Sequence, residues 1–204
     1  MIVISSLIPY GGVNMHEYSC DSGRRDEVRL ISFIISAFVA FLFTYVINLL
    51  FGGIGFIFDF FVFVLSFSPI FIWVFFTNKL SHFLLAISDI RDCSGEYKGE
   101  LKTVYDKFER SHPVTVIIAH KFREMEIRVI TETSESFSKT ASMNQNGERV
   151  TITYTYENKG SIEDNLNMHI GTCMLVLEGN VIKGDYYTHP DRKSYGKIIV
   201  RKIE

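Results

Sequence analysis

LISFIISAFVAFLFTYVINLLF (Leu30–Phe51), the pair Gly52-Gly53 and IGFIFDFFVFVLSFSPIFIWVFF (Ile54–Phe76) follow one another with a single charged residue, Asp59, among them. At about 1.5 Å of rise per helical residue, each block is long enough to cross a hydrocarbon core of roughly 30 Å. Two such blocks joined by glycines read as a transmembrane helical hairpin rather than as core helices of a soluble domain. Around it the chain divides into a flexible leader (1–28), the hairpin (29–78), an amphipathic linker (79–92) and a polar, strand-rich domain (93–204).

The flanks orient the hairpin. Arg24, Arg25 and Arg29 precede the first block, Lys79 follows the second, and Gly52-Gly53 carries no charge. Positive residues mark the cytoplasmic side, so both termini and the strand-rich domain are expected there. In an antiparallel hairpin Asn48 and Asp59 reach similar depth. Polar groups near hydrocarbon need a partner or water. Asp59 therefore either anchors the turn at the far interface or joins Asn48 in a polar ring around an oligomer axis. Met1–Tyr10 lacks the basic start and long apolar core of a secretory signal, and Gly11–Gly23 reads as unstructured. Leu80, Phe83, Leu84 and Ile87 have helical spacing and predict a short helix, either an amphipathic one on the membrane surface or a plain helical linker.

From Gly95 the hydrophobic period changes to two. Strands are predicted over Gly95–Lys102, Pro113–His120, Arg123–Thr131, Ser134–Ser142 (weak and mostly polar), Glu148–Glu157, Met168–Leu177, Val181–Thr188 and Tyr195–Ile203. Eight short up-and-down strands close naturally into an antiparallel, lipocalin-like β-barrel, which removes exposed edges; a two-sheet sandwich is the alternative.

Residues 89–204 hold 17 Lys/Arg and 18 Asp/Glu. That balance argues against a DNA- or RNA-coating surface, which needs a basic excess. Cys20, Cys93 and Cys173 form no CxxC or Cys/His cluster, so no zinc site, other metal site or disulfide framework is expected, and a reducing compartment is the simpler reading. No GxSxG, P-loop, HExxH or dinucleotide fingerprint occurs, so no catalytic residues and no cofactor are assigned, and an enzyme is not expected. His169, on an apolar strand, reads as a core histidine; His120 and His189, at strand ends, read as solvated.

Alternation places Tyr97 inward on the first strand, Tyr154 and Tyr156 with Val150 and Ile152 on the fifth, and Gly184, Tyr186 and Thr188 together near Arg192. Such tyrosines either fill a barrel or stack on nucleobases, with hydroxyls and an arginine free to hold phosphate.

A two-block hairpin followed by a compact eight-stranded barrel resembles the membrane effectors of bacterial CBASS anti-phage systems, CD-NTase-associated proteins with two transmembrane segments and a minimal STING-like sensor. The resemblance spans Arg24 to Glu204. It is most specific at Ser94-Gly95-Glu96-Tyr97-Lys98-Gly99 and at Gly184-x-Tyr186-x-Thr188 with Arg192 and Gly196. It implies a receptor for a cyclic dinucleotide made by a neighbouring CD-NTase. Ligand in the barrel would drive homo-oligomerisation of the membrane segments and compromise the inner membrane before phage mature. Carried to this chain, Tyr97, Tyr186, Thr188 and Arg192 are the first candidates for ligand contact. Tyr154, Tyr156 and Arg128 come second, and Arg128 alternates to the outside. Asn48, Gly52, Gly53 and Asp59 are the candidates in the membrane. The residues alone leave two other readings open: a membrane-tethered carrier of an apolar ligand, and a protein-binding scaffold.

Overall fold

A computed structural model describes residues 15–51, 68–160, 169–188 and 194–203. Helix α1 (Gly23–Phe51) carries a 25-residue stretch, Gly23–Ile47, long and apolar enough to cross a membrane. Its Leu, Ile and Phe side chains lie mostly exposed, from Leu30 through Leu50. Among the described residues no other single helix meets that test; the bent pair of α2 (Ser68–Lys79) and α3 (Ser81–Ile87), at 82°, meets it only if counted together. The second block expected over Ile54–Phe76 is described only from Ser68 onward, within α2. Gly52, Gly53 and Asp59 lie outside the described residues; Asn48 is near the end of α1. Helices α1 and α2 meet at Trp73, whose indole N–H donates to Ser32 Oγ at 3.0 Å and whose ring packs edge-on against Phe33.

Most of the remaining chain is β-sheet. Strands β2 (Gly95–Thr103), β3 (His112–His120), β4 (Glu124–Ile130), β5 (Ser134–Asn146), β6 (Arg149–Gly160), β7 (His169–Glu178), β8 (Val181–Thr188) and β9 (Tyr195–Lys202) run up and down in chain order. Strand β9 returns to β2, pairing Lys98 with Arg201 and Lys102 with Lys197. All eight expected strands are present, most within a residue or two of their predicted ends. The polar Ser134–Ser142 segment is a full strand and extends to Asn146, so the turn expected over Asn144–Gly147 is shorter. Its first buried positions are serines, Ser136 and Ser138, and a register shift between Ser138 and Thr140 precedes the buried Ala141 and Met143, so the alternation is disguised. Ser138 Oγ accepts the N–H of Ile127 at 2.9 Å, so the buried hydroxyl is satisfied.

A ninth strand, β1 (His16–Cys20), completes the ring. β4 and β5 pair directly over three residues only, Arg128 with Phe137, Val129 with Ser136 and Ile130 with Glu135. Beyond that they part, and β1 fills the fork. It lies antiparallel to β4 (His16 opposite Met125) and parallel to β5 (Tyr18 opposite Ala141, Cys20 opposite Met143). Within the stretch Gly11–Gly23 read as unstructured, this corrects His16–Cys20; residues 11–14 lie outside the described residues. The strand is short and polar, and its partners are distant in sequence, so no local pattern announces it.

The end of the ring nearest α1 is packed solid. Tyr18, Tyr97, Phe122, Met125, Met143 and Leu85 are buried there. A buried side chain of this size contributes about 1.5–3 kcal/mol relative to exposure. Arg25, in the first turn of α1, donates to the carbonyl oxygens of Tyr18 (3.3 Å) and Phe122 (3.0 Å) and stacks over the Tyr18 ring at 4.2 Å. The apolar face expected of the linker divides. Leu84 packs into the ring together with Leu85, whereas Leu80, Phe83 and Ile87 stay exposed. Ser81 Oγ accepts the Phe122 N–H and fixes α3 against the ring.

His120 is likewise corrected from solvated to buried, because β1 and α3 cover that strand end. Its Nδ1 accepts the Cys93 N–H at 3.2 Å, which leaves the proton on Nε2 to donate to Tyr18 Oη at 2.9 Å.

Candidate functional site

The opposite end of the ring is open. Inside it lies a cavity of about 410 Å³, within the usual range for small-ligand sites. Two larger hollows, of about 760 and 710 Å³, lie outside the ring, one beside the β1–α1 junction and one on the outer face of β7–β9. Only the 410 Å³ cavity is walled by inward-facing strand residues, and enclosure rather than volume is what a ligand needs.

Three walls meet in this cup. Strand β6 supplies Tyr154, Tyr156 and Asn158, successive inward positions at period two. Strands β8 and β9 supply Tyr186, Thr188 and Ile198. The β4–β5 turn supplies Thr131, Thr133, Ser134 and Ser136, and Thr103 and His112 stand at the rim beside the β2–β3 connection. Among the described residues the lining contains no Asp, Glu, Lys or Arg; hydroxyls, one amide, aromatic rings and the imidazoles of His112 and His169 share it with the apolar Leu101, Val129, Cys173 and Ile198.

The rings have defined positions. Tyr154 and Tyr156 lie 6.2 Å apart with planes tilted 55°, and His169 meets Tyr156 edge-on at 6.5 Å. Two glycines make room. A Cβ on Gly171 would run into the Tyr156 ring, and one on Gly196 would strike the Tyr186 ring and the Lys102 carbonyl. Burial raises the Tyr154 phenol well above its ordinary range. It also raises that of Tyr186, against the lowering effect of hydrogen bonds with Thr103 and Ser194, so both rings are neutral at physiological pH. Burial pushes the Cys173 thiol, behind Tyr154, up to about 12, and it is inert as a nucleophile there. Thr188 Oγ1 donates to the Ser194 carbonyl at 2.9 Å and accepts the Ser194 N–H at 3.0 Å.

Of the residues expected to contact ligand, the structure gathers Tyr154, Tyr156, Tyr186 and Thr188 into one cup. Tyr97 faces inward as expected but lies at the packed end, where its hydroxyl donates to the Cys93 carbonyl at 2.9 Å and burial pushes its pKa up to about 12. It is a core residue and does not line the cup. Arg192 is outside the described residues, two positions before Ser194, which does line the cup. Arg128 points outward, over the Phe137 ring at 4.9 Å and paired with Glu135 at 3.3 Å. His169, expected in the core, is half-buried at the cup wall. Asn158, Gly171 and the serine–threonine arc were not singled out by sequence; alternation extended two residues beyond Tyr156 would have found Asn158.

Residues 88–202 match the family described as Cap15, cyclic dinucleotide receptor domain. The chain belongs to the Cap15 receptor family. The match begins at the end of the linker and takes in β2 through β9, hence every wall of the cup. No curated protein matches the chain. The cup therefore lies within the matched Cap15 domain.

Proposed function

We propose that this protein is the membrane effector of a CBASS anti-phage system, and that the cup between β6, β8 and the β4–β5 turn binds the cyclic dinucleotide second messenger made by a partner CD-NTase. The observation that carries the reading is the coincidence of the Cap15 match with a cavity lined by tyrosines, hydroxyls and an amide. Tyrosine faces stack on bases of any identity, hydroxyls bond phosphate and ribose, and Arg192 is the charged clamp for phosphate. A carrier for an apolar ligand is disfavoured by the same polar wall, since each hydroxyl left facing hydrocarbon costs about 1–3 kcal/mol. No catalytic group and no cofactor are assigned.

In this reading α1 and the Ile54–Phe76 block form the two-span hairpin in the bacterial inner membrane, with both termini and the ring cytoplasmic. The exposed apolar surface of α1 supports membrane insertion. Ligand binding favours self-association, the membrane segments cluster, and the bilayer is disrupted, ending the infected cell. A ligand shifts such an equilibrium only through its differential affinity for the assembled state. The ring is joined closely to the membrane segment at its packed end: Asp21 and Ser22 alone separate β1 from α1, and Arg25 of α1 bonds to the Tyr18 and Phe122 carbonyls.

The test is thermal unfolding of the full chain in detergent against a panel of cyclic di- and trinucleotides. Occupancy at about a hundred times Kd adds about 2.7 kcal/mol to native stability. A raised midpoint with one cyclic dinucleotide, lost in Arg192→Ala and Tyr186→Ala, is the expected result. No shift with any member, from a folded chain, sinks the receptor reading.

A further inference from the structure

Among the described residues that line the cup, one buried polar atom lacks a hydrogen-bond partner. Asn158 follows Tyr154 and Tyr156 on the inward face of β6, opposite Ser136 on β5 and His169 on β7. Its amide nitrogen donates to Ser134 Oγ at 3.3 Å. Ser134 Oγ is itself tied to Thr131 Oγ1 at 3.0 Å, so the amide is held from one side by a fixed turn. Its carbonyl oxygen is buried and has no partner among the described residues. Rotating the amide by half a turn exchanges the roles without curing the deficit, since a single hydroxyl cannot satisfy both ends. A buried acceptor left without a donor costs about 1–3 kcal/mol, an unusual expense in a wall otherwise well bonded.

We propose that Tyr156 and Asn158 form a nucleobase subsite, with the tyrosine ring as stacking face and the amide reading the edge of the base. The inference rests on the cup being the cyclic dinucleotide site. Residues two apart on a strand share a face, so a base lying on the Tyr156 ring brings its edge to Asn158. Stacking on an aromatic ring with hydrogen bonds to the base edge is how proteins read unpaired bases. The ring supplies affinity that hardly distinguishes bases; the amide supplies discrimination. An amide offers an acceptor beside a donor, a pair that every base can match somewhere on its edge, so an amide held in place by Ser134 selects by the order and position of the two groups. Gly171 keeps the stacking position open by leaving space for the ring. Asn158 is thereby assigned as the residue that sets which base this half of the ligand carries.

The experiment uses the full chain in detergent and measures Kd for cyclic di-AMP, cyclic di-GMP, cyclic di-CMP, cyclic di-UMP and their mixed pairs. A good amide–base pair is worth about 1–3 kcal/mol of discrimination, or roughly 5- to 150-fold. Asn158→Ala is expected to weaken the preferred ligand by that factor and leave the disfavoured ones nearly unchanged, so that the panel converges. Asn158→Asp, of the same shape but lacking the donor, is expected to reorder the panel toward bases presenting two adjacent donors. Tyr156→Phe keeps the ring and is expected to preserve the order. Equal weakening of every ligand by both Asn158 variants, or no change with either, overturns the subsite while the receptor reading stands. Absence of binding to any panel member by the unmodified chain removes both. Ligand-free melting separates the subsite from a structural role: Asn158→Ala is expected to melt close to the parent chain, because loss of the long bond to Ser134 is offset by removal of the unpaired oxygen, and a marked fall in Asn158→Ala overturns the proposal.

Discussion

Acid is expected to loosen the packed end of the ring through His120. Its side chain has no exposed surface, and burial lowers its pKa from the usual 6.5 to about 4 against the pull of the Asp92 carboxylate 3.8 Å away. The unfolded chain takes up the proton near pH 6.5 and the native state only near 4. Between those values the unfolded state binds more protons, so stability falls as pH drops. The limiting slope is about 1.4 kcal/mol per pH unit, and the whole window amounts to about 3 kcal/mol. Above about pH 6.5 this group adds no pH dependence. Protonation also removes the acceptor for the Cys93 N–H, so the cost falls where β1, β2 and β3 meet. Urea unfolding of the full chain in detergent, followed by circular dichroism from about pH 7.5 to about pH 4.5, reads the slope. His120→Gln cannot titrate but can still donate to Tyr18. It is expected to lower stability by about 1 kcal/mol near neutrality, the worth of one imperfect hydrogen bond, and to flatten the dependence between about 6.5 and 4. Parallel slopes in the parent and His120→Gln would refute the assignment.

Two further outcomes follow from the packing. Gly196→Ala places a methyl group against the Tyr186 ring and the Lys102 carbonyl, and is expected to cost about 1–3 kcal/mol and to weaken ligand binding through a displaced Tyr186. The cost should shrink in a Tyr186→Ala background, and strict additivity by denaturant unfolding would show that the ring is not the obstacle. Tyr18→Ala empties the key position of β1 and is expected to cost about 3–5 kcal/mol, against less than about 0.5 for Ser19→Ala on the exposed face of the same strand. Similar unfolding midpoints for the two variants would show that β1 contributes nothing to the ring.

Most strands were legible because their signal is local. Val114, Val116 and Ile118 on β3, or Ile198 and Val200 on β9, alternate visibly with polar neighbours. Strand β1 was not, since a five-residue strand with one buried side chain has meaning only beside β4 and β5. The face of each candidate was also legible, but its height was not. Tyr97 and Tyr186 both point inward; register places Tyr97 opposite Val116 near the packed end and Tyr186 opposite Gly196 near the mouth. Period two tells inside from outside and is silent about position along the axis. The same limit misplaced His120, whose burial depends on α3 and β1 covering a strand end. Arg192, Gly52, Gly53 and Asp59 lie outside the described residues, so their assignments rest on the sequence.

The fork that β1 fills also fixes an order of assembly. During synthesis β1 appears before α1, yet its partners come long after it: Glu17 lies opposite Glu124 on β4 and Tyr18 opposite Ala141 on β5. With α1 in the bilayer as proposed, β1 waits at the membrane surface as an unpaired strand until the chain through Met143 has been made. Closing so long a loop is slow, and anchoring one end beside the nascent ring shortens the search. Ring closure thus becomes a late event, after β4 and β5 have been made. Until β1 docks, the fork leaves one edge of β4 and one of β5 unprotected, so the interval before closure is when the chain is most exposed to pairing with another copy.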